Sequence, residues 1–253
     1  MDDSELPTIA KNIEAAPIAA MVLVQHLRAS ERQDITDALT AESFAYAAIQ
    51  KGPEFLSWLK NENAAASPLL VSGTPIKTAP DGKLLNIILN DPSNLNTIGT
   101  SLRDALCEAL DMAMIDASIE RVELSANGRT FSVGGAVEEF GEISDPATAH
   151  WVRSLRLPAW RLARMTEKLH VHVNGATIGA GAEIAAFGKK VTASKDAWFQ
   201  LPELKYGLIP GAGGTVSLPR RIGRQKTCYM ALSMNRINAQ TAAEWGLVDE
   251  ILS

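Results

Sequence analysis

Thr177-Ile-Gly-Ala-Gly-Ala-Glu-Ile184 follows directly on the strand-like run 170–175. Leu201-Pro-Glu-Leu-Lys-Tyr-Gly-Leu-Ile-Pro-Gly-Ala-Gly-Gly-Thr215 then sets a second glutamate in a second small-residue frame. Glycine and alanine clear side chains from places where a bulky ligand must approach the backbone. A helix starting near Gly179 aims unsatisfied N–H groups at its entrance, and Glu183 arrives within its first turn. Open backbone, amide donors and a carboxylate are the components of a site that activates an acyl group.

Outward from these segments, strand and helix patterns alternate. Residues 84–89, 121–125, 170–174 and 190–193 read as strands, and 101–114, 151–168, 180–187, 220–232 and 239–244 as helices. Such alternation means an α/β core; by pattern alone a doubly wound sheet and a spiral of ββα turns both fit. Residues 11–60 read as helical. Ile18, Val22 and Leu23, then Leu39, Phe44, Ala47 and Ala48, recur at three-to-four spacing, with a break at 31–36. Pro53 sits near the first turn of a last helix. Residues 61–81 hold Ala-Ala-Ala-Ser-Pro, Ser-Gly-Thr-Pro and Ala-Pro-Asp-Gly, which interrupt any period and read as a linker.

The 253 residues, 46% of them hydrophobic, can bury a large core. A net charge of -5 argues against a non-specific nucleic-acid binder. No apolar run reaches the roughly 18–20 residues of a membrane span, and the acidic start lacks the basic region of a signal peptide, so a cytoplasmic protein with no membrane partner is expected. Cys107 and Cys228 are expected as reduced thiols. His170 and His172 share a strand face, but without further His or Cys no metal site is expected. Pro210-Gly-Ala-Gly-Gly-Thr215 lacks the Lys-Ser/Thr ending of a P-loop and does not match Gly-x-Gly-x-x-Gly. Arg220, Arg221, Arg224 and Lys226 read as a solvated helix face or as a contact for an anionic ligand.

Several motifs in fixed order give the stretch from Lys83 to Ser253 a family resemblance. Residues 87–92 (Ile-Ile-Leu-Asn-Asp-Pro) with Asn96, Phe131-Ser-Val-Gly-Gly135, the two glutamate segments, and Ala242-Ala-Glu-Trp-Gly-Leu-Val-Asp249 together resemble the enoyl-CoA hydratase/isomerase (crotonase) superfamily. The resemblance selects the spiral of ββα units and implies an acyl-CoA thioester as substrate. Coenzyme A is then part of the substrate, so no separate cofactor and no metal are expected. It also implies an oxyanion hole from the N–H groups of Gly135 and Ala180, and catalytic carboxylates at Glu183 and Glu203. Val133, Gly134 and Gly211 are placed against the substrate, although Gly211 also fits a plain glycine-rich turn. A homo-oligomer, a trimer or a dimer of trimers, comes with the family. Two positions depart from it: Ala136 replaces an Asp that many members carry, and Glu138 stands where a basic residue often approaches the CoA nucleotide.

Ala16-Pro-Ile-Ala19, Leu39-Thr-Ala-Glu-Ser43 and Gly52-Pro-Glu-Phe-Leu-Ser-Trp-Leu59 resemble, in that order, the helices that come after the Gly-Leu-Val-Asp segment in the family. This sequence ends at Ser253, soon after Asp249, so a circular permutation is implied. Residues 1–60 would be a helical module equivalent to the family's C-terminal helices, 61–81 the linker and 82–253 the core. The module is expected to pack near 245–253, with Phe44, Phe55 and Trp58 covering the acyl pocket or a subunit interface.

Addition of water to a 2-enoyl thioester puts negative charge on the thioester oxygen, which two pre-aimed amides stabilise. It also needs a base for the water and an acid for the α-carbon, tasks that two carboxylates divide. Hydration is therefore the expected activity, with Glu183 activating water and Glu203 supplying the proton. Enoyl-CoA or dienoyl-CoA isomerisation and a non-catalytic assembly subunit are the alternatives.

Overall fold

The computed structural model describes residues 3–62, 73–143 and 145–252. Its larger sheet holds six strands in the order β1 (Ile76–Asp81), β2 (Leu84–Leu89), β3 (Arg121–Ala126), β5 (Leu169–Val173), β7 (Lys190–Ser194) and β10 (Glu250–Leu252). A smaller sheet holds four: β4 (Thr130–Ser132), β6 (Ala176–Ile178), β8 (Trp198–Gln200) and β9 (Ile237–Asn238). Within the larger sheet β1 pairs antiparallel with β2, and the other neighbours pair parallel. The chain makes the spiral anticipated from the resemblance: β3 leads to β4, β5 to β6 and β7 to β8, one strand in each sheet per turn.

Period-two side chains explain which face is buried. In β2, Leu85, Ile87 and Leu89 point into the core, and in β5 Leu169, Val171 and Val173 do so while His170 and His172 face outward. Helix α5 (Thr100–Ile115) answers with Leu102, Leu106, Ala109, Leu110 and Ala113, a stripe at helical spacing. Each large apolar side chain so buried contributes about 1.5–3 kcal/mol.

Three expected boundaries move. The helix expected over 151–168 is two, α6 (Pro146–Arg156) and α7 (Ala159–Met165). Pro158 lacks an N–H and disfavours helical backbone at Leu157, which is extended at φ -76° and ψ 124°. Helix α9 (Gly214–Ser233) starts earlier than residue 220 and bends at Gly223, where φ is 81°. The linker expected over 61–81 lies partly at 63–72, outside the described residues. Its last six residues are strand β1, because Gly82-Lys83 is a two-residue hairpin turn, with Gly82 at φ 59° and Asp81 paired to Leu84.

Four helices precede the sheets: α1 (Leu6–Ala15), α2 (Pro17–Ala29), α3 (Ile35–Ile49) and α4 (Pro53–Glu62). The Asp34 carboxylate caps α3, accepting from the N–H groups of Thr36 and Asp37. Leu23, Leu27, Leu39, Ile49 and Phe55 join the same apolar cluster as Leu85 and Ile87. The helices were expected beside 245–253; their main partners are instead α9, α6 and α7. Small residues account for the position. Ala16, Ala19 and Ala20 let α2 lie close to Leu204 and Leu232.

Polar ties hold the same surface. Asn12 donates to the carbonyls of Leu232 and Ser233 at 2.9 and 3.1 Å, and Arg224 pairs with Glu31 at 2.9 Å. Arg220 donates to Gln33 O at 2.9 Å, and Arg221 to Asp249 at 2.6 Å. The basic run is thus structural wiring between α9 and its neighbours. Phe44 is 57% exposed and stacks on His150, whereas Phe55 is buried and Trp58 packs edge-on to Phe140 and Tyr206. No single helix among the described residues is long and apolar enough to cross a membrane.

Candidate active site

Strands β4, β6 and β8 are parallel neighbours, so the chain leaves all three at the same end of the small sheet. Three exit segments therefore meet: Val133 to Gly135 beyond β4, Gly179 and Ala180 beyond β6, Pro202 and Glu203 beyond β8. Buried Asn96 fixes the first of these. Its Oδ1 accepts from Asp91 N at 2.8 Å and its Nδ2 donates to Asn127 O and Thr130 O, each at 2.9 Å. Leu95 and Asn96 both hold left-handed backbone, which turns the chain so that Leu95 O receives Val133 N. Gly179 is required twice over. Its φ is 48°, and a Cβ there would stand 2.6 Å from Glu203 Oε1.

The result is a cavity of about 210 Å³ onto which Gly135, Ala180, Glu183, Glu203 and Gly211 all open. Val133 and Gly134, expected against a substrate, do not line it. Gly134 turns behind the wall, its O accepting from Ile98 N at 2.8 Å, and a Cβ on it would stand 3.7 Å from Ala180 N. These two residues position Gly135 rather than present a surface. Among the described residues neither Gly135 N nor Ala180 N has an acceptor. Ala180 is the first residue of α8 (Ala180–Ala185), where helix geometry leaves the amide unpaired. Two free donors on one wall can hold one oxyanion.

The two carboxylates differ in their surroundings. Glu183 is 2% exposed, and its Oε2 accepts from Ala212 N at 2.5 Å and Gly214 N at 2.7 Å. Burial, then the charges of Glu203 and Glu42, push its pKa well up, and the two amides pull it back. Glu203 begins a short 3-10 helix (Glu203–Tyr206), and its buried Oε2 has no hydrogen-bond partner among the described residues. Burial, with Glu42 adding, raises it to about 8. When one proton is shared between them, the amide donors favour the negative charge on Glu183 and leave the proton on Glu203.

Sequence reasoning missed the far wall. Tyr46 from α3 packs over Gly211, where a Cβ would overlap its ring. The Arg153 guanidinium sits 4.2 Å from the centre of that ring and donates to Gly211 O. Arg103 and Arg156 line the cavity as well. Behind the wall stands a third carboxylate, Glu42, fully buried, receiving Gly213 N at 2.8 Å, Thr215 N at 3.0 Å and Thr215 Oγ1 at 2.6 Å. A charged residue inside the apolar pattern of 39–48 is the signal that could have found it.

Likeness to known proteins is concentrated in the core. Residues 81–253 match the family model described as enoyl-CoA hydratase/isomerase. The 2,3-dehydroadipyl-CoA hydratase of Escherichia coli K12 is 35% identical over 170 residues, 67% of this chain and 66% of that protein. The 1,2-epoxyphenylacetyl-CoA isomerase of the same organism is 33% identical over 175 residues, again 67% and 66%. The chain thus matches just under two thirds of the length of these relatives. The crystal structure of enoyl-CoA hydratase from Thermoplasma volcanium GSS1 superposes with a TM-score of 0.64 at 29% identity, covering 71% of this chain and 72% of that one.

Proposed function

The chain belongs to the enoyl-CoA hydratase/isomerase family, and we propose that within it this protein adds water across the double bond of a 2-enoyl-CoA thioester. One observation carries the reading: buried Glu183, half-buried Glu203 with its Oε2 enclosed, and two acceptor-free amides open on one cavity. The thioester oxygen accepts from Gly135 N and Ala180 N, and each donor is worth about 3 kcal/mol once that oxygen carries the enolate charge. Glu183, with Oε2 tied to two amides, takes a proton from a water held between the carboxylates as the water oxygen bonds to the β-carbon. Glu203, protonated up to about pH 8, gives its proton to the α-carbon. Gly211 keeps the far wall thin beside the acyl chain, and Arg103 and Arg156 supply positive charge for an anionic CoA substrate.

A second reading, double-bond isomerisation, is supported by the same Glu203. A carboxyl group with one enclosed oxygen that has no hydrogen-bond partner among the described residues is suited to carry a proton between two carbons of an enoyl chain. Crotonyl-CoA and a 3-enoyl-CoA separate the two. Loss of the enoyl thioester's ultraviolet absorbance with crotonyl-CoA supports hydration. Gain of that absorbance with the 3-enoyl substrate alone supports isomerisation, and neither change leaves a non-catalytic assembly subunit.

We also propose that residues 1–60 stand in for the helices that come after the core in the family, joined through 61–81 to a core over 82–253. The support is position: α3 supplies Tyr46 to the cavity wall, and α2 and α3 lie on α9. A rearranged chain that carries residues 1–62 after residue 253 on a glycine-rich linker should fold and keep its activity. The trimer or dimer of trimers is the expected assembly, read by sedimentation.

A further inference from the structure

Four successive amides of the loop 212–215 point alternately to two sides. Ala212 N and Gly214 N meet Glu183 at 2.5 and 2.7 Å, while Gly213 N and Thr215 N meet Glu42 at 2.8 and 3.0 Å. One carboxylate comes from the core and the other from α3. We propose that Glu42 is a positioning residue: it holds the loop from the α3 side so that the loop's other two amides face Glu183 and keep the negative charge there.

The geometry leaves the loop little alternative. Gly213 has φ 100° and a Cβ there would stand 2.7 Å from Ala159 Cβ, while a Cβ on Gly214 would overlap Glu183 Cγ. Without Glu42, two buried N–H groups lose their acceptor, and turning the peptides to satisfy them swings the Ala212 and Gly214 amides away from Glu183. Every group within hydrogen-bond or ion-pair reach of Glu42 is a donor or a cation. Besides the two amides these are Thr215 Oγ1 at 2.6 Å and Arg153 at 3.7 Å; burial raises the Glu42 pKa, and this cation and these donors pull it back toward the carboxylate. Because the Thr215 hydroxyl gives its proton to Glu42, His26 Nε2 on α2, 2.8 Å away, donates to that hydroxyl. The titratable or charged groups around Glu42 are therefore Arg153 of α6, Glu183 of α8, Glu203 after β8, Tyr46 of α3 and His26 of α2. The catalytic consequence rests on the hydratase reading; the clamp itself does not.

The test is Glu42→Gln, which keeps size and removes the charge. With crotonyl-CoA we expect kcat to fall up to about 100-fold, the scale of a small misplacement of reacting groups, with KM little changed. The basic limb of the kcat profile should also move to lower pH, because a charge that raises Glu183 and Glu203 is gone. In a Glu183→Gln background the same change should lower kcat by less than about twofold, since residues acting as a unit are not additive. A wild-type limb, or an undiminished loss in that background, overturns the proposal. Amide hydrogen exchange needs no activity: Ala212 and Gly214 should lose protection in Glu42→Gln, and unchanged protection overturns the clamp even if the wild-type enzyme hydrates nothing. Should Glu42→Gln fail to fold, Thr215→Val decides. It removes one of Glu42's donors, so kcat and the protection of Ala212 should both fall, and wild-type values of both overturn the proposal.

Discussion

The core and the N-terminal helices meet at one glycine loop, and each brings a buried glutamate to it by a different means. Glu183 is placed by its own stretch of chain: a strand end, a glycine turn and the first turn of α8 fix it, and Gly214 is bare so that its side chain fits. Glu42 is placed from a distance. It lies mid-helix in α3 and reaches the loop only because α3 packs on α9 and α6. The difference teaches that a site written in a local motif can still depend on a partner that no local motif records.

The comparison breaks most plainly at the carboxylates themselves. Glu183→Gln and Glu203→Gln are each expected to cut kcat for crotonyl-CoA by roughly a hundredfold to ten-thousandfold while acyl-CoA binding survives, because the amide keeps shape and loses proton transfer. Steady-state rates and titration of a saturated acyl-CoA check this. Near-wild-type rates for both variants would sink the two-carboxylate mechanism. Loss at Glu203 alone would favour isomerisation.

A smaller but sharper effect is expected at the oxyanion wall. Ala180→Pro deletes one donor, worth about 3 kcal/mol in the transition state or a hundredfold in kcat, yet proline is acceptable at the first position of a helix. Ala180→Ser keeps the N–H and should keep most of the rate. A folded Pro variant with full activity would remove Ala180 from the oxyanion hole.

The core's half of the site was legible because its geometry is local. Gly135, Ala180, Glu183, Glu203 and Gly211 reach one cavity as their motifs implied. Val133 and Gly134 were misjudged, since adjacency to Gly135 does not tell which side of a tight turn faces the cavity. Strands β4, β6, β8 and β9 are two or three residues long, too short to show a period. β1 was hidden by Pro80 and by an Asp-Gly pair taken for linker. Tyr46 and Arg153 were not legible as site residues, and Glu42 only as a charge set in the apolar pattern of 39–48: their periodicity places them on a helix, but only packing over a long sequence separation decides what they touch.

Packing between the two regions can be tested at Gly211, where an added methyl group meets the Tyr46 ring. Gly211→Ala is expected to lose about 1–3 kcal/mol of stability, the usual penalty for overfilling a packed contact. Tyr46→Ala removes the obstacle, so the double variant should be less destabilised than the sum of the two single changes. Denaturant midpoints of the four proteins measure the coupling. Strict additivity would mean that α3 does not rest on the loop in solution.

The smallest effect is electrostatic and compares Glu203 of the core with His26 of α2. Glu203 is raised from 4.5 to about 8 by burial, so the folded protein binds its proton more tightly than the unfolded chain. That stabilisation is complete below about pH 4.5 and is lost as pH rises toward 8, at up to about 1.4 kcal/mol per pH unit. Glu183, also raised, acts in the same direction. His26 is lowered from 6.5 to about 4 by burial, so the unfolded chain binds more protons between those values and stability rises with pH there. The opposing terms separate above pH 6.5, where the histidine contribution is constant and the glutamates still titrate. Stability should therefore decline between about pH 6.5 and 8, and Glu203→Gln should flatten that decline and, because Glu203 already loses stabilisation from about pH 4.5 upward, bring out the histidine-driven rise below 6.5. Unfolding curves at pH 5, 6.5 and 8 are enough to see it. A wild-type stability that climbs steadily to pH 8 would show that Glu203 is not held protonated by burial.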